Sequence, residues 1–115
     1  MRFTFKKDER LRKQREFENV FENGRWVNGK YVDICFALDQ SRKVGFIVSK
    51  KISKKAVIRN KVKRRLREIF RLNKYDLPDT VNLIIVAKKG VEKVSFSDLE
   101  DEVRKLFKKI SDIVD

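Results

Sequence analysis

Apolar residues along the chain fall into stretches with two different periods. Phe17, Val20 and Phe21 stand at i, i+3 and i+4, one face of a helix. The spacing predicts a helix that starts at Asp8 or Arg12 and runs to Glu22, with Asn23-Gly24 as its C-terminal stop. From Lys30 to Asp39 the period drops to two. Val32, Ile34, Phe36 and Leu38 point one way and Tyr31, Asp33, Cys35 and Ala37 the other, as in a half-buried strand. Gln40 to Lys43 reads as a turn, and Val44 to Ser49 as the returning strand of a hairpin.

The helical period then returns. Ile58, Val62, Leu66, Ile69 and Phe70 share one face of a helix capped near Ser53 and ending near Asn73. Val81 to Ala87 is nearly all apolar, which predicts a strand covered on both faces. A last helix is expected from Ser97, with Ser97 and Glu100 as a capping box. Leu99, Val103, Leu106, Phe107, Ile110 and Val114 give it a buried stripe. There is room for a short extra strand between Gly24 and Lys30. The order is helix, two strands, helix, strand, helix: an α/β sandwich on a small sheet. A chain of 115 residues supplies one modest core and hence one domain. The first seven residues, with Arg2, Lys6 and Lys7, read as a loose basic arm.

Charge changes the picture. Charged residues make up 41% of the chain, against about 25% in an ordinary domain, and the net charge is +13. Such an excess repels itself and points to an anionic partner. Val81 to Ala87, the longest strongly apolar stretch, is far too short to span a membrane. No secretory signal heads the chain and Cys35 stands alone, so a reducing cytoplasm is the simplest setting. Cys35 and Trp26 read as packing residues. The chain has no histidine, which removes Ser-His-Asp and Cys-His machinery and most zinc sites. The four glycines are scattered singly, so there is no Gly-rich phosphate loop. No catalytic or metal-ligating constellation is predicted in the chain itself.

The excess charge is concentrated. From Lys50 to Arg67 there are ten Lys or Arg residues and no Asp or Glu. At 100° per residue, Asn60, Arg64, Arg67 and Arg71 fall opposite the apolar stripe, with Lys61 and Glu68 beside them. Arg59 and Lys63 flank one edge of the stripe and Arg65 the other. Lys50, Lys51, Lys54 and Lys55 extend the charge into the preceding loop. A solvated helix normally interleaves acids with bases for i, i+4 pairing, as the last helix does with Asp98 to Glu102 followed by Arg104, Lys105, Lys108 and Lys109. The second helix lacks that compensation. Its arginine forks suit phosphate, so the ridge predicts polyanion binding.

The segment "VSKKISKKAVIRNKVKRRLREIF" resembles the signature of the bacterial ribonuclease P protein subunit, a basic loop followed by an Arg-Asn-Arg-type helix. The third residue of that triplet is Lys61 here, which keeps the charge and loses the fork. "REFENVFENG", "VGFIVSKK" and "IIVAKKGV" occur in the family's order and spacing. The resemblance implies an α/β sandwich with a left-handed βαβ crossover through the basic helix, where the general rule favours the right hand. It implies a partnership with ribonuclease P RNA, which would supply the active site and its Mg²⁺ ions for removing the 5′ leader of precursor tRNA. It implies RNA-subunit contacts from Lys50, Lys51, Lys54, Lys55, Arg59, Asn60, Lys61, Lys63, Arg64, Arg65 and Arg67. It also implies a leader-binding cleft at Phe17 and Phe21, with a third aromatic on the first strand. That third position is open among Tyr31, Ile34 and Phe36; Phe36 is the candidate, although alternation favours it as core.

Other functions fit the charge alone. A ribosomal-type RNA-binding module or a nucleoid DNA binder would use the same ridge without a leader-sized aromatic cleft. A self-sufficient metal-dependent nuclease would need clustered carboxylates, whereas the acids here lie mostly at helix ends. The protein without RNA is expected to be a monomer and to have no membrane partner.

Overall fold

A strand that is apolar on both faces belongs inside a sheet, and that requirement organises this molecule. The computed structural model describes residues 5–114. Among these, the chain forms α1 (Gln14–Asn23), β1 (Arg25–Asn28), β2 (Val32–Leu38), β3 (Lys43–Ile47), α2 (Ala56–Asn73), β4 (Val81–Ala87) and α3 (Phe96–Val114), with short 3-10 turns between them. The strands form one mixed sheet in the order β1-β2-β4-β3. β4 runs antiparallel to β2 and parallel to β3, so both of its edges are hydrogen-bonded. The extra strand between Gly24 and Lys30 is β1.

Alternation divides the core. Val32, Ile34 and Phe36 of β2 and Val81, Leu83 and Ile85 of β4 face α2 and α3. There they meet Val62, Leu66, Ile69 and Phe70 of α2 and Leu99, Val103, Leu106, Phe107 and Ile110 of α3. Phe70 and Phe107 meet edge to face with ring centroids 6.4 Å apart. On the other face, Cys35, Ala37 and Ile84 pack with Leu11 and with Val20 of α1. The Cys35 thiol donates to the Val20 carbonyl oxygen, and burial pushes its pKa up.

The expected hairpin of β2 with β3 does not form, because β4 lies between them. The β2–β3 connection crosses the start of β4, where the buried Asn82 holds both of its ends. Its Nδ2 donates to Asp39 Oδ2 (2.7 Å), and its Oδ1 accepts from the Lys43 amide (3.2 Å). β2 is accordingly buried on both faces rather than half-buried, with Cys35 fully covered, while Leu38 at its end is exposed.

Helix starts also moved. α1 begins at Gln14, because the Leu11 amide donates to the Val44 carbonyl and keeps the chain beside β3 until then. Glu16 accepts from the amides of Arg12 and Lys13 at the helix start, and those bonds hold its pKa below the usual carboxylate value. α2 begins at Ala56 rather than near Ser53, whose hydroxyl accepts from the Lys55 amide instead. In α3 the capping hydroxyl is that of Ser95, which accepts from Asp98 N (3.1 Å); Ser97 lies inside the first turn.

The expected basic arm lies partly outside the described residues. From Phe5 onward the segment is packed: the Phe5 ring sits edge-on against Phe46 and Phe70, at 6.0 and 5.4 Å. Glu9 forms an ion pair with the buried ammonium of Lys74 (2.8 Å), just beyond α2. This strap covers the free edge of β3, where an open ladder would invite another strand. At the opposite edge, the turn between β1 and β2 is pinned to α3. Glu102 accepts from the amides of Lys30, Tyr31 and Val32 at 2.6, 2.7 and 3.0 Å.

Candidate nucleic-acid interface

α2 uses one side for the core and turns the other outward. Asn60, Lys61, Arg64 and Arg67 are exposed along that outer side, as are Lys50, Lys51, Lys54 and Lys55 in the loop before it. Among the described residues, no ion pair involves a side chain between positions 50 and 67. Charges left this way in water gain nothing from one another, so an incoming phosphate meets donors that need not first break a protein contact.

The structure separates the arginines that the sequence grouped. Arg59 Nη1 donates to the Ser53 carbonyl oxygen (2.9 Å), and Arg65 Nη1 to the Val94 carbonyl oxygen (2.9 Å). Both are half-buried, as is Lys63, so these two guanidiniums also brace the loops on either side of the helix. Arg71 forms a two-pronged pair with Glu68, which raises its own pKa and lowers that of Glu68. The uncompensated part of the ridge therefore stops at Arg67.

A second surface lies across the sheet. β-Strand register sets its floor in rows. Trp26, Cys35, Ile84 and Gly45 form one row, and Asn28, Asp33, Val86 and Ile47 the next. α1 covers the first row. The Phe17 ring lies on Gly45 so closely that a Cβ there would come within 2.5 Å of its Cε1 and Cζ. One turn later, Phe21 stacks on Trp26, with ring centroids 5.9 Å apart and planes inclined by 21°. The second row is left half-open, with Ile47 and Val86 only partly buried. The Lys88 ammonium lies 3.4 Å from the Asp33 carboxylate and offsets the one acid on that floor. Beyond Val86, a cavity of about 630 Å³ is lined by Ile47, Ser49, Lys51, Val86, Lys88 and Lys89. The lysine loop before α2 thus also reaches this trough.

Phe17 and Phe21 lie on the α1 face of the sheet, whereas Phe36 does not. It is 3% exposed and faces α2 and α3, because its even-numbered neighbours on β2 are the core positions. This corrects its placement as a cleft aromatic. The aromatic that joins Phe21 is Trp26, which is 47% exposed and so is no packing residue. Its pairing opposite Cys35 puts it on the α1 face, a relation invisible until the register is known. Lys88 and Lys89 were likewise missed; they follow a buried strand, a position with no periodic signal.

Comparison with known proteins identifies the family. The family model described as Ribonuclease P matches residues 5–111. The ribonuclease P protein component of Syntrophomonas wolfei is 40% identical over 106 residues, covering 90% of this chain and 87% of its own. That of Petrotoga mobilis is 37% identical over 114 residues, covering 93% and 95%. The RNase P protein of Thermotoga maritima superposes with a TM-score of 0.81 at 31% identity, covering 89% of this chain and 97% of its own.

Proposed function

The chain belongs to the ribonuclease P protein family, and we propose that its two surfaces divide the binding of two RNAs. As a member of that family it is the RNA-binding partner of ribonuclease P RNA in maturing tRNA 5′ ends. The ridge of Lys50, Lys51, Lys54, Lys55, Asn60, Lys61, Arg64 and Arg67 takes the RNA subunit. Arg59, Lys63 and Arg65 contribute charge from its flanks. The trough beside Phe17 and Phe21 takes the single-stranded 5′ leader of precursor tRNA. The observation that carries this reading is the outer face of α2, whose cations have no acid to pair with between positions 50 and 67.

The chemistry of each surface suits its RNA. Phosphates on the RNA subunit occupy fixed positions, which forked and flexible cations can match. Leaders differ in sequence, and aromatic faces stack on any base with about 1–3 kcal/mol each. Bond cleavage belongs to the RNA subunit, which holds the Mg²⁺ ions. This chain's part is to neutralise phosphate repulsion and hold the leader in place. The protein acts in the cytoplasm and is monomeric when free of RNA.

Reconstitution with a bacterial ribonuclease P RNA tests the reading. Leader removal at low Mg²⁺ should require the protein, and RNA-free protein should cut nothing. Replacing Arg64 and Arg67 with Ala should weaken RNA-subunit binding and reduce its log–log salt slope by about 0.7–0.9 per lost phosphate contact. Unchanged affinity and slope in the folded double variant would reduce the ridge to a solvated face.

A further inference from the structure

We infer that Trp26 is a base-stacking position at the β1 end of the trough, which extends the leader path across the whole width of the sheet. This rests on the leader-binding reading and adds to it a residue that lies outside α1. The argument starts from exposure. Trp26 is 47% and Phe21 40% exposed, and they stack between the edge strand β1 and α1 instead of closing over the core. At 5.9 Å between centroids the two rings are offset, so much of each stays open to water as an apolar ledge. A planar base can lengthen such a stack without any change in the protein.

Position supplies the second argument. Trp26 stands in the same cross-sheet row as Gly45, on which Phe17 lies, and three strand spacings separate the two ends. That is about 14 Å. Phe21 lies between them, one helical turn from Phe17, so the three aromatics form a line along the rim of the half-open row. The far end of that row leads to Lys51, Lys88 and Lys89. A strand with one phosphate end among these lysines would bring later bases toward the Trp26 ledge. The ligand class is an unpaired nucleobase of single-stranded RNA, with no preference for its identity.

Trp26 is the chain's one tryptophan, so its emission reports on this position alone. In the holoenzyme reconstituted with a bacterial ribonuclease P RNA, adding precursor tRNA should quench that emission, and mature tRNA should not. Trp26→Ala should weaken precursor binding by about 5- to 150-fold, the range expected for one lost base stack. Trp26→Phe should recover most of the loss, and mature tRNA affinity should stay level in both. Thermal unfolding of each variant keeps the result interpretable. If the ledge only fastens α1 to β1, Trp26→Ala lowers the melting temperature and both tRNA affinities fall together, which overturns the inference. Equal weakening for precursor and mature tRNA in a variant that melts normally would place the indole against another RNA and also overturn it. If Trp26→Ala changes nothing while Phe17→Ala still lowers the precursor-to-mature ratio, the ledge fails and the leader trough stands. If neither changes the ratio, the trough itself fails.

Discussion

The two faces of the sheet come from the same strands by simple alternation, yet one is sealed and the other is half-open. Toward α2 and α3, helices of 18 and 19 residues lie over the sheet, and Ile34, Phe36, Leu83 and Ile85 are shut off from water. Toward α1, a helix of 10 residues covers one row and leaves the next half-open. At a rise of 1.5 Å per residue the difference is about 27 Å against about 15 Å of cover. A half-covered sheet face is an ordinary cost in an antiparallel fold. Here the half-open row is bordered by Phe17, Phe21 and Trp26 and ends in lysines, the composition that the proposed leader site calls for.

The sharpest way to break this contrast is to truncate matching phenylalanines on the two faces. Phe36→Ala on the sealed face should cost about 3–5 kcal/mol of folding stability, the usual price of a large buried ring. Among molecules that remain folded, the preference for precursor over mature tRNA should not change. Denaturant unfolding together with the two binding curves measures both. A stable Phe36→Ala protein with a reduced preference would return Phe36 to the leader site.

Phe17→Ala on the open face should act mainly on binding. Its expected loss is about 1–3 kcal/mol toward precursor tRNA, with mature tRNA nearly unaffected. Gly45→Ala should move in the same direction, because the new methyl would occupy the place of the Phe17 ring. An unchanged precursor-to-mature ratio in both folded variants would take Phe17 out of the trough.

The smallest effect concerns the strap that runs round the β3 edge between the two faces. Burial alone would raise the pKa of Glu9. The hydrogen bond from Lys74, the Lys6 amide and the charges of Lys74 and Arg42 outweigh it and lower the value. A carboxyl with a depressed folded-state pKa adds stability above its unfolded pKa, near 4.3, and loses it as pH falls through the folded value. Stability measured by denaturant should therefore fall more steeply below about pH 5 in the native protein than in Glu9→Gln. Parallel acid limbs would show that the Glu9–Lys74 pair contributes nothing that depends on charge.

Much of this was legible locally. The stripe of α2 and its cationic outer side follow from a 100° rotation per residue, so Asn60, Arg64 and Arg67 emerged on the exposed side as the spacing requires. The end of α2 at Asn73 and the buried character of β4 were equally local, since each depends on neighbours within one element.

What the sequence by itself determined, then, was periodicity: which residues share a face, where the charge is uncompensated, and which family the ordered motifs resemble. Tertiary structure decided which face meets which partner. Alternation put Phe36 opposite Cys35 on β2, but only the position of α1 over Cys35 shows that Phe36 faces away from the trough. Trp26 stands on the α1 face because antiparallel register set it beside Cys35, a pairing made between segments rather than within one. β2 and β3 looked like a hairpin because they are adjacent in sequence. β4 separates them because a strand apolar on both faces loses most by standing at an edge, and Asn82 supplies the hydrogen bonds that hold the connection open across its start. Rotation per residue put Arg59 and Arg65 at the edges of the stripe, but only the fold brought the carbonyls of Ser53 and Val94 within their reach. Each of these outcomes depends on contacts between residues far apart in the chain, and a periodic pattern carries no information about such distances.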